Sequence, residues 1–459
     1  MVDSIKRLAV LVMVTFIGLS LGLVYWQIIM ADELVRRPDN PRLIDEKMRV
    51  RRGIIFDRDG GVLARTEVNA DGYAKRVYTN PSMVHVTGVD SIRFGATGIE
   101  GALDDYLDGR KGIEPQAELD KLIHRQPVVG NDVVLTVDPD IQKAAEKAIG
   151  EYRGAAVVLN PRTGEILALY SNPYFDPNSL ILDPGADWSK ENDRIEAAWK
   201  LLNQDDGKPL LNRAAMGLYA PGSTFKTVTL SAALETGVTK PSEVFTYKLN
   251  SPNAQHGAPW HANSYVSSDS HPTHESFDLF HAFAYSCNVT LSELGLRVGP
   301  KAYEDFARRF GLESRIPLEV PTEVSHLFTR PDFFTGDERF YALASTSMGQ
   351  GELSVTPLQM ALVAAAIANG GVIEKPHLLA EVRRPDGAVL QHINPEAWRT
   401  AINRSTADLM RDAMVVGVND GWANGASLPG VQVAGKTGTA EITGEGQPHS
   451  WFIGFAPAN

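Results

Sequence analysis

Residues 219–228 read Tyr-Ala-Pro-Gly-Ser-Thr-Phe-Lys-Thr-Val. Pro221-Gly222 breaks the chain, and the apolar run Val228–Leu234 that follows has helical character. Ser223 is therefore expected in the first turn of a helix, at its positive dipole end. A spacing of i to i+3 places the Lys226 amine on the same helix face as the Ser223 hydroxyl. A serine needs a base to become a nucleophile, and a lysine supplies one only when neutral. Lowering a lysine pKa from ~10.4 to ~7.5 costs about 4 kcal/mol, so burial or a neighbouring cation has to arrange it. No other Ser-x-x-Lys occurs in the chain, but chance alone also produces such a pair.

Two further elements lie C-terminal to it. Ser286-Cys287-Asn288 follows an apparent helix, His281–Tyr285, and can turn a hydroxyl and an amide into one cleft from a short loop. Val431-Gln-Val-Ala-Gly-Lys436-Thr437-Gly438-Thr439-Ala440 reads as a strand with a glycine-flanked lysine. Gly438 lets a substrate backbone approach closely, and Lys436 and the threonines offer charge and hydrogen bonds to a carboxylate. Each element is individually weak, because a Lys-Thr-Gly strand is more often a solvated edge.

The order Ser-x-x-Lys, Ser-x-Asn, Lys-Thr-Gly resembles the signature of the penicillin-binding protein and serine β-lactamase superfamily. The resemblance continues in Ser347-Met-Gly-Gln-Gly-Glu-Leu-Ser-Val-Thr-Pro-Leu-Gln-Met-Ala361, in Ile367–Gly371, in Tyr174–Asn178, and in Arg52-Gly53 through Asp57-Arg58-Asp59-Gly60. The last looks like the opening of a class B pedestal. A class A protein needs a glycosyltransferase domain of a couple of hundred residues after the anchor, and only about 120 lie between the apolar N-terminal stretch and the 154–171 hairpin, so the chain resembles a monofunctional class B protein.

That resemblance implies an α/β fold: an N-terminal transmembrane helix, a small pedestal, then a transpeptidase domain with an antiparallel sheet flanked by helices. The expected division is residues 1–7 as cytoplasmic head, 8–30 as anchor, 31–150 as pedestal and 151–459 as transpeptidase domain. It also implies roles. Ser223 forms an acyl-enzyme with a peptidoglycan stem peptide, and Lys226 takes its proton. Ser286 relays a proton to the leaving amine, while Asn288 binds substrate amide and helps fix Lys226. Lys436 supplies charge near the substrate carboxylate, Thr437 and Thr439 are carboxylate contacts, Gly438 admits substrate, and the Ser223 and Thr439 N–H groups form the oxyanion hole. β-Lactams are expected to acylate Ser223. Cys287 is expected to be a small buried hydrophobe. No cofactor is implied.

Elsewhere, Val133–Asp138 reads as a strand, Pro139–Ile149 as a helix, and Gly154–Ser171 as a hairpin turning at Asn160–Gly164. The polar stretch Asn250–His281 carries His256, His261, His271, His274 and His281 and reads as a long exposed loop. It lacks regularly spaced carboxylate or Cys ligands, so no metal site is expected. After the Lys-Thr-Gly strand one more strand is readable, Ser450–Ala456. Relatives continue with a further strand and helix, so either the domain is C-terminally truncated or its sheet closes unusually; without that strand the 154–171 hairpin and the last strand are expected not to pair through it.

From Leu8 to Met30 no residue is charged. As a helix this stretch spans roughly 34 Å, enough for a ~30 Å hydrocarbon core, with Tyr25 and Trp26 at its outer end. It is too long for the apolar part of a signal peptide and lacks a small-x-small cleavage site. Flanking charge is nearly balanced, Lys6 and Arg7 against Arg36 and Arg37. Orientation therefore follows from the implied chemistry: residues 31 onward are expected outside the cytoplasmic membrane. Composition agrees with a globular protein, 43% apolar and 22% charged. A net charge of −12 argues against nucleic-acid binding, and the single cysteine, Cys287, permits no internal disulfide.

The leading reading is a peptidoglycan D,D-transpeptidase, with a polytopic membrane glycan polymerase and division or elongation proteins as partners. The rivals are a β-lactam sensor or resistance enzyme and a non-catalytic scaffold.

Overall fold

The structure, a computed structural model, describes residues 2–30, 41–112, 129–246, 276–330, 332–337, 339–440 and 447–459. Helix α1, Val2–Val24, runs into a wider turn, Tyr25–Ile29. Together they hold an apolar span, Ile5–Ile29, long enough to cross a membrane, and its residues are largely exposed among the described residues.

Arg52-Gly53 leads into β1 (Ile55–Phe56), β2 (Val62–Val68) and β3 (Ala74–Tyr78). The Asp-Gly turn forms where the sequence places it. Asp57 Oδ1 accepts the N–H groups of Asp59 and Gly61 at 3.0 and 2.7 Å, an Asx turn that reverses the chain. β4 (Asp132–Leu135) lies parallel to β1, with Ile55 opposite Val133. Helix α2 (Pro139–Ile149) is capped by Asp138, whose carboxylate accepts from the N–H groups of Asp140 and Ile141. The hairpin β5 (Gly154–Leu159) and β6 (Ile166–Asn172) pairs with Ala156 opposite Tyr170.

Helix α3 (Lys226–Glu235) is buried from Lys226 through Ala233. Such a helix is a core element with no solvent face. Helices α4 (Leu279–Ala284) and α5 (Asn288–Val298) follow, and α6 (Pro357–Ala368) is a second, almost wholly apolar core helix. Strands β7 (Leu379–Arg383) and β8 (Val389–His392), helix α7 (Arg404–Asn419), and β9 (Ala434–Ala440) with β10 (His449–Phe455) complete the chain.

β7 and β8 join the N-terminal strands in one six-stranded sheet of order β8-β7-β4-β1-β2-β3. This sheet takes chain from both sides of the boundary expected near residue 150. In the transpeptidase domain the antiparallel ladders β5–β6 and β9–β10 are not hydrogen-bonded to each other among the described residues, as expected for the 154–171 hairpin and the last strand. Both lie against α6, as does the continuous apolar core. Most of the histidine-rich stretch, including His256, His261, His271 and His274, lies outside the described residues. Its end is not a loop, because Ser276–Asp278 is a strand and His281 sits inside α4, capped by Asp278.

A buried ion-pair network organises the first region. Glu100 has no exposed surface and takes Arg76 Nε at 2.6 Å, Arg52 Nη2 at 2.8 Å and the Tyr78 hydroxyl at 3.1 Å. Burial pushes the Glu100 carboxyl up, but the two guanidinium groups outweigh it and hold the pKa below the usual carboxylate value. Arg52, the first residue of the resemblance to a pedestal, is thus an internal strut.

Candidate active site

Ser223 lies in a 3-10 turn, Gly222–Phe225, that feeds directly into α3. This is the expected helix start, wound more tightly. The turn is held between two other segments. Gly222 has φ +54° and donates its N–H to the Gly349 carbonyl at 3.0 Å. A Cβ on Gly222 would lie 2.4 Å from the Thr439 carbonyl oxygen, and one on Gly438 would lie 2.9 Å from Pro221 O and Thr224 N. Glycine at both positions lets β9 pass directly against the serine turn, so the first and third motifs meet backbone to backbone.

Lys226 is fully buried one turn on. Its Nζ donates to the Ser286 carbonyl at 2.6 Å, to Asn288 Oδ1 at 2.6 Å and to Ser286 Oγ at 3.1 Å. The loop between α4 and α5 thus presents its hydroxyl, amide and a main-chain oxygen to one amine. Ser286 reaches this position with φ +61°, unusual for a residue with a side chain. Cys287 faces the other way. It is buried, and its sulfur accepts from the N–H and hydroxyl of Thr290 at 3.4 and 3.1 Å. The residue expected as a mere hydrophobe therefore also caps α5.

Along β9 the side chains alternate: Lys436, Gly438 and Ala440 are buried, Thr437 is half-buried and Thr439 exposed. Lys436 turns inward, its Nζ 5.6 Å from the centre of the Phe283 ring and 3.0 Å from the Thr437 carbonyl that accepts its proton. Burial first, then the positive charge of Lys226, holds its pKa well below the ordinary lysine value. The structure so brings Ser223, Lys226, Ser286, Asn288, Lys436, Thr437, Gly438 and Thr439 to one cleft, with the two lysines electrostatically coupled. The geometry can support a serine nucleophile beside a buried amine, with the Thr437 and Thr439 hydroxyls on the open side.

Sequence reasoning missed the residues that brace this cleft. The Glu352 carboxylate accepts from Thr329 N and Oγ1, both at 2.8 Å, from Arg330 N at 3.0 Å and from the Arg330 guanidinium. Partial burial raises its pKa, but these donors outweigh it and bring it down to about 2. The clamp fixes the Ser347–Glu352 segment that holds Gly222. Trp451, on β10, donates its indole N–H to Ala220 O at 2.9 Å, tying the last strand to the start of the serine turn. Neither contact has a local sequence signal, since each joins distant parts of the chain.

The family model for the penicillin binding protein transpeptidase domain matches residues 154–459, and that for the penicillin binding protein A dimerisation domain matches residues 52–133. The chain belongs to the class B penicillin-binding proteins. It is 36% identical to the peptidoglycan D,D-transpeptidase PbpA of Mycolicibacterium smegmatis, across 99% of this chain and 91% of that one. Penicillin-binding protein A of Mycobacterium tuberculosis, solved as a ceftriaxone acyl-enzyme complex, is similar with a TM-score of 0.77 and 34% identity, covering 90% of this chain and 91% of that one. The penicillin G acyl-enzyme complex of that protein gives 0.74 and 35%, covering 89% and 91%. In this penicillin-binding protein the pedestal strut Arg52 opens the dimerisation-domain match, and all three cleft motifs lie within the transpeptidase match.

Proposed function

We propose that this protein is a peptidoglycan D,D-transpeptidase, held in a bacterial cytoplasmic membrane by the Ile5–Ile29 helix with residues 31 onward outside. The observation that carries this reading is the buried Lys226 amine, bonded to Ser286 and Asn288, one helical turn from Ser223. The similarity to β-lactam acyl-enzyme structures supports it.

In the proposed reaction, Ser223 Oγ attacks the carbonyl carbon of the penultimate D-Ala while its proton passes to Lys226. The N–H groups of Ser223 and Thr439 stabilise the oxyanion, a contribution worth about 3 kcal/mol per donor. The C–N bond then breaks, the proton returning through Ser286 to the departing D-Ala amine. The amine of a neighbouring stem peptide attacks the resulting ester and gives a proton to Lys226, which passes it to Ser223 Oγ as the ester C–O bond breaks, leaving a cross-link and free Ser223. Asn288 orients the substrate amide, and Thr437 and Thr439 hold the terminal carboxylate. Residues 31–150 serve as pedestal and 151–459 as the catalytic unit in this reading. A polytopic glycan polymerase is its partner, reached through the anchor helix and the surface around Arg51–Gly60, because cross-linking is useful where new strands emerge.

Labelling by a fluorescent penicillin tests the proposal. Wild-type protein should carry a label lasting many minutes, and Ser223→Ala none. Hydrolysis of the adduct within seconds would point to a β-lactamase, and failure of folded wild-type protein to label would point to a scaffold. Exchanging the anchor for an unrelated transmembrane helix should weaken polymerase co-purification while penicillin labelling persists.

A further inference from the structure

Among the described residues of the three motifs, Ser286 alone has a positive φ without being glycine. A left-handed conformation in a non-glycine residue is unfavourable and persists only where its surroundings hold it. Two of its holds come from its own helix and loop: Ser286 N donates to Phe283 O and Cys287 N to Ala282 O, both at 2.9 Å. A third is Lys226, on the Ser286 carbonyl. The remaining hold comes from outside the three motifs. Trp422, just beyond α7, donates its backbone N–H to Ala284 O at 3.3 Å and its indole Nε1–H to Tyr285 O at 2.9 Å. Its ring meets that of Tyr285 edge to face, with centroids 6.5 Å apart. Three successive carbonyls, of residues 284, 285 and 286, are thus each fixed by a donor, the first two by Trp422 and the third by Lys226.

We infer that Trp422 is a positioning residue for acyl transfer: by gripping the two peptide groups ahead of Ser286, it keeps that residue in the left-handed conformation that turns its hydroxyl and carbonyl toward Lys226. The indole of Trp422 is about half exposed at 49%, so burial of apolar surface does not by itself account for a tryptophan here. What the position uses is an N–H donor on a rigid plane, which tryptophan supplies and phenylalanine does not. The inference rests on the transpeptidase reading of the cleft.

The test compares wild type with Trp422→Phe, which keeps a ring against Tyr285 and removes the donor. Acylation by penicillin is followed as a function of concentration, separating noncovalent affinity from the acylation rate constant. The expected result is a rate constant lowered between about threefold and tenfold, the worth of one ordinary hydrogen bond, with noncovalent affinity unchanged. Cys287, the one thiol of the chain, reports the loop independently. It should react faster with a disulfide reagent under native conditions in Trp422→Phe. Thr136→Val, which removes a buried hydrogen bond near the six-stranded sheet, serves as a destabilised control and should change neither the rate constant nor thiol reactivity. An unchanged acylation rate constant in Trp422→Phe, or equal changes in Thr136→Val at a matched loss of Tm, overturns the inference. If wild-type protein is not acylated, the transpeptidase reading fails first, and thiol reactivity still decides whether Trp422 holds the loop.

Discussion

Lys226 Nζ lies 2.6 Å from the carbonyl oxygen of Ser286, a residue held at φ +61°. The amine is therefore bonded to a strained main-chain group as well as to the side chains the motif supplies. Its position depends on the loop, and the loop's on it.

Replacing Lys226 by Arg puts a permanently charged, bulkier group in this site. Acylation by a β-lactam should fall by about 10²–10⁴-fold, the range for loss of a general base, while the protein still melts cooperatively. Stopped-flow acylation at near wild-type rate in Lys226→Arg would sink the base assignment and leave the lysine an electrostatic neighbour.

Lys436 gives a prediction of opposite signs for stability and activity. Its pKa lies below the unfolded value of a lysine, so the folded state binds this proton less tightly. The site accordingly costs stability at neutral pH, and the cost fades as pH rises toward the unfolded value. Lys436→Met should raise Tm at pH 7 by about 1–3 °C and slow acylation. The acid limb of the acylation profile should also move up, because a like charge beside Lys226 is gone; that limb belongs to the coupled pair. A lower Tm in Lys436→Met at pH 7, together with an unmoved limb, contradicts the coupling.

Glu352 should show acid linkage. With a folded pKa of about 2 and an ordinary value of 4.5, its contribution is complete above the ordinary value and disappears as pH falls to about 2. Arg330 is exposed, so the contribution is of order 1–2 kcal/mol, less than the full shift suggests. Glu352→Gln should be less stable than wild type at pH 7 by that amount, and the two should converge near pH 2 in denaturant titrations. A gap that does not close on acidification would remove the carboxylate from the explanation.

The buried Glu100 offers a sharper structural test. Glu100→Gln leaves Arg52 and Arg76 facing a neutral group in the interior, and loss of one partner of a buried pair costs about 3–5 kcal/mol. Urea unfolding should show that loss, and penicillin acylation of the surviving folded fraction should keep its wild-type rate constant. A change below about 1 kcal/mol would mean the network is solvated in solution.

How far the sequence discloses this protein depends on the range of the interaction concerned. The hairpin at 154–172, the helix at 139–149 and the Asx turn at Asp57 are decided by residues within a few positions, and each forms where local chemistry places it. The three short motifs were legible because each carries its own chemistry, and the structure packs them against one another. The grip of Trp422 on the Tyr285 carbonyl and of Glu352 on Thr329 was not legible, because tertiary structure alone makes them neighbours. The depth to which Lys436 is buried was not legible for a related reason. A lysine on a strand looks solvated until the packing of β9 against the serine turn is known.

The six-stranded sheet imposes an order of events on synthesis. Leu379 pairs with Leu135 and Val382 with Val133, so the inner strand Asp132–Leu135 leaves the ribosome long before its second neighbour exists. At about 5–20 residues per second, the delay is on the order of ten seconds or more. During that time a strand with the apolar row Val133-Val134-Leu135 offers an open edge, the kind of surface that chaperones cover and that aggregates recruit. The N-terminal region is therefore not a unit that matures first and waits. Its last hydrogen bonds are delivered by the catalytic half of the chain, and nascent chains stalled before residue 379 should remain protease-sensitive at residues 132–135.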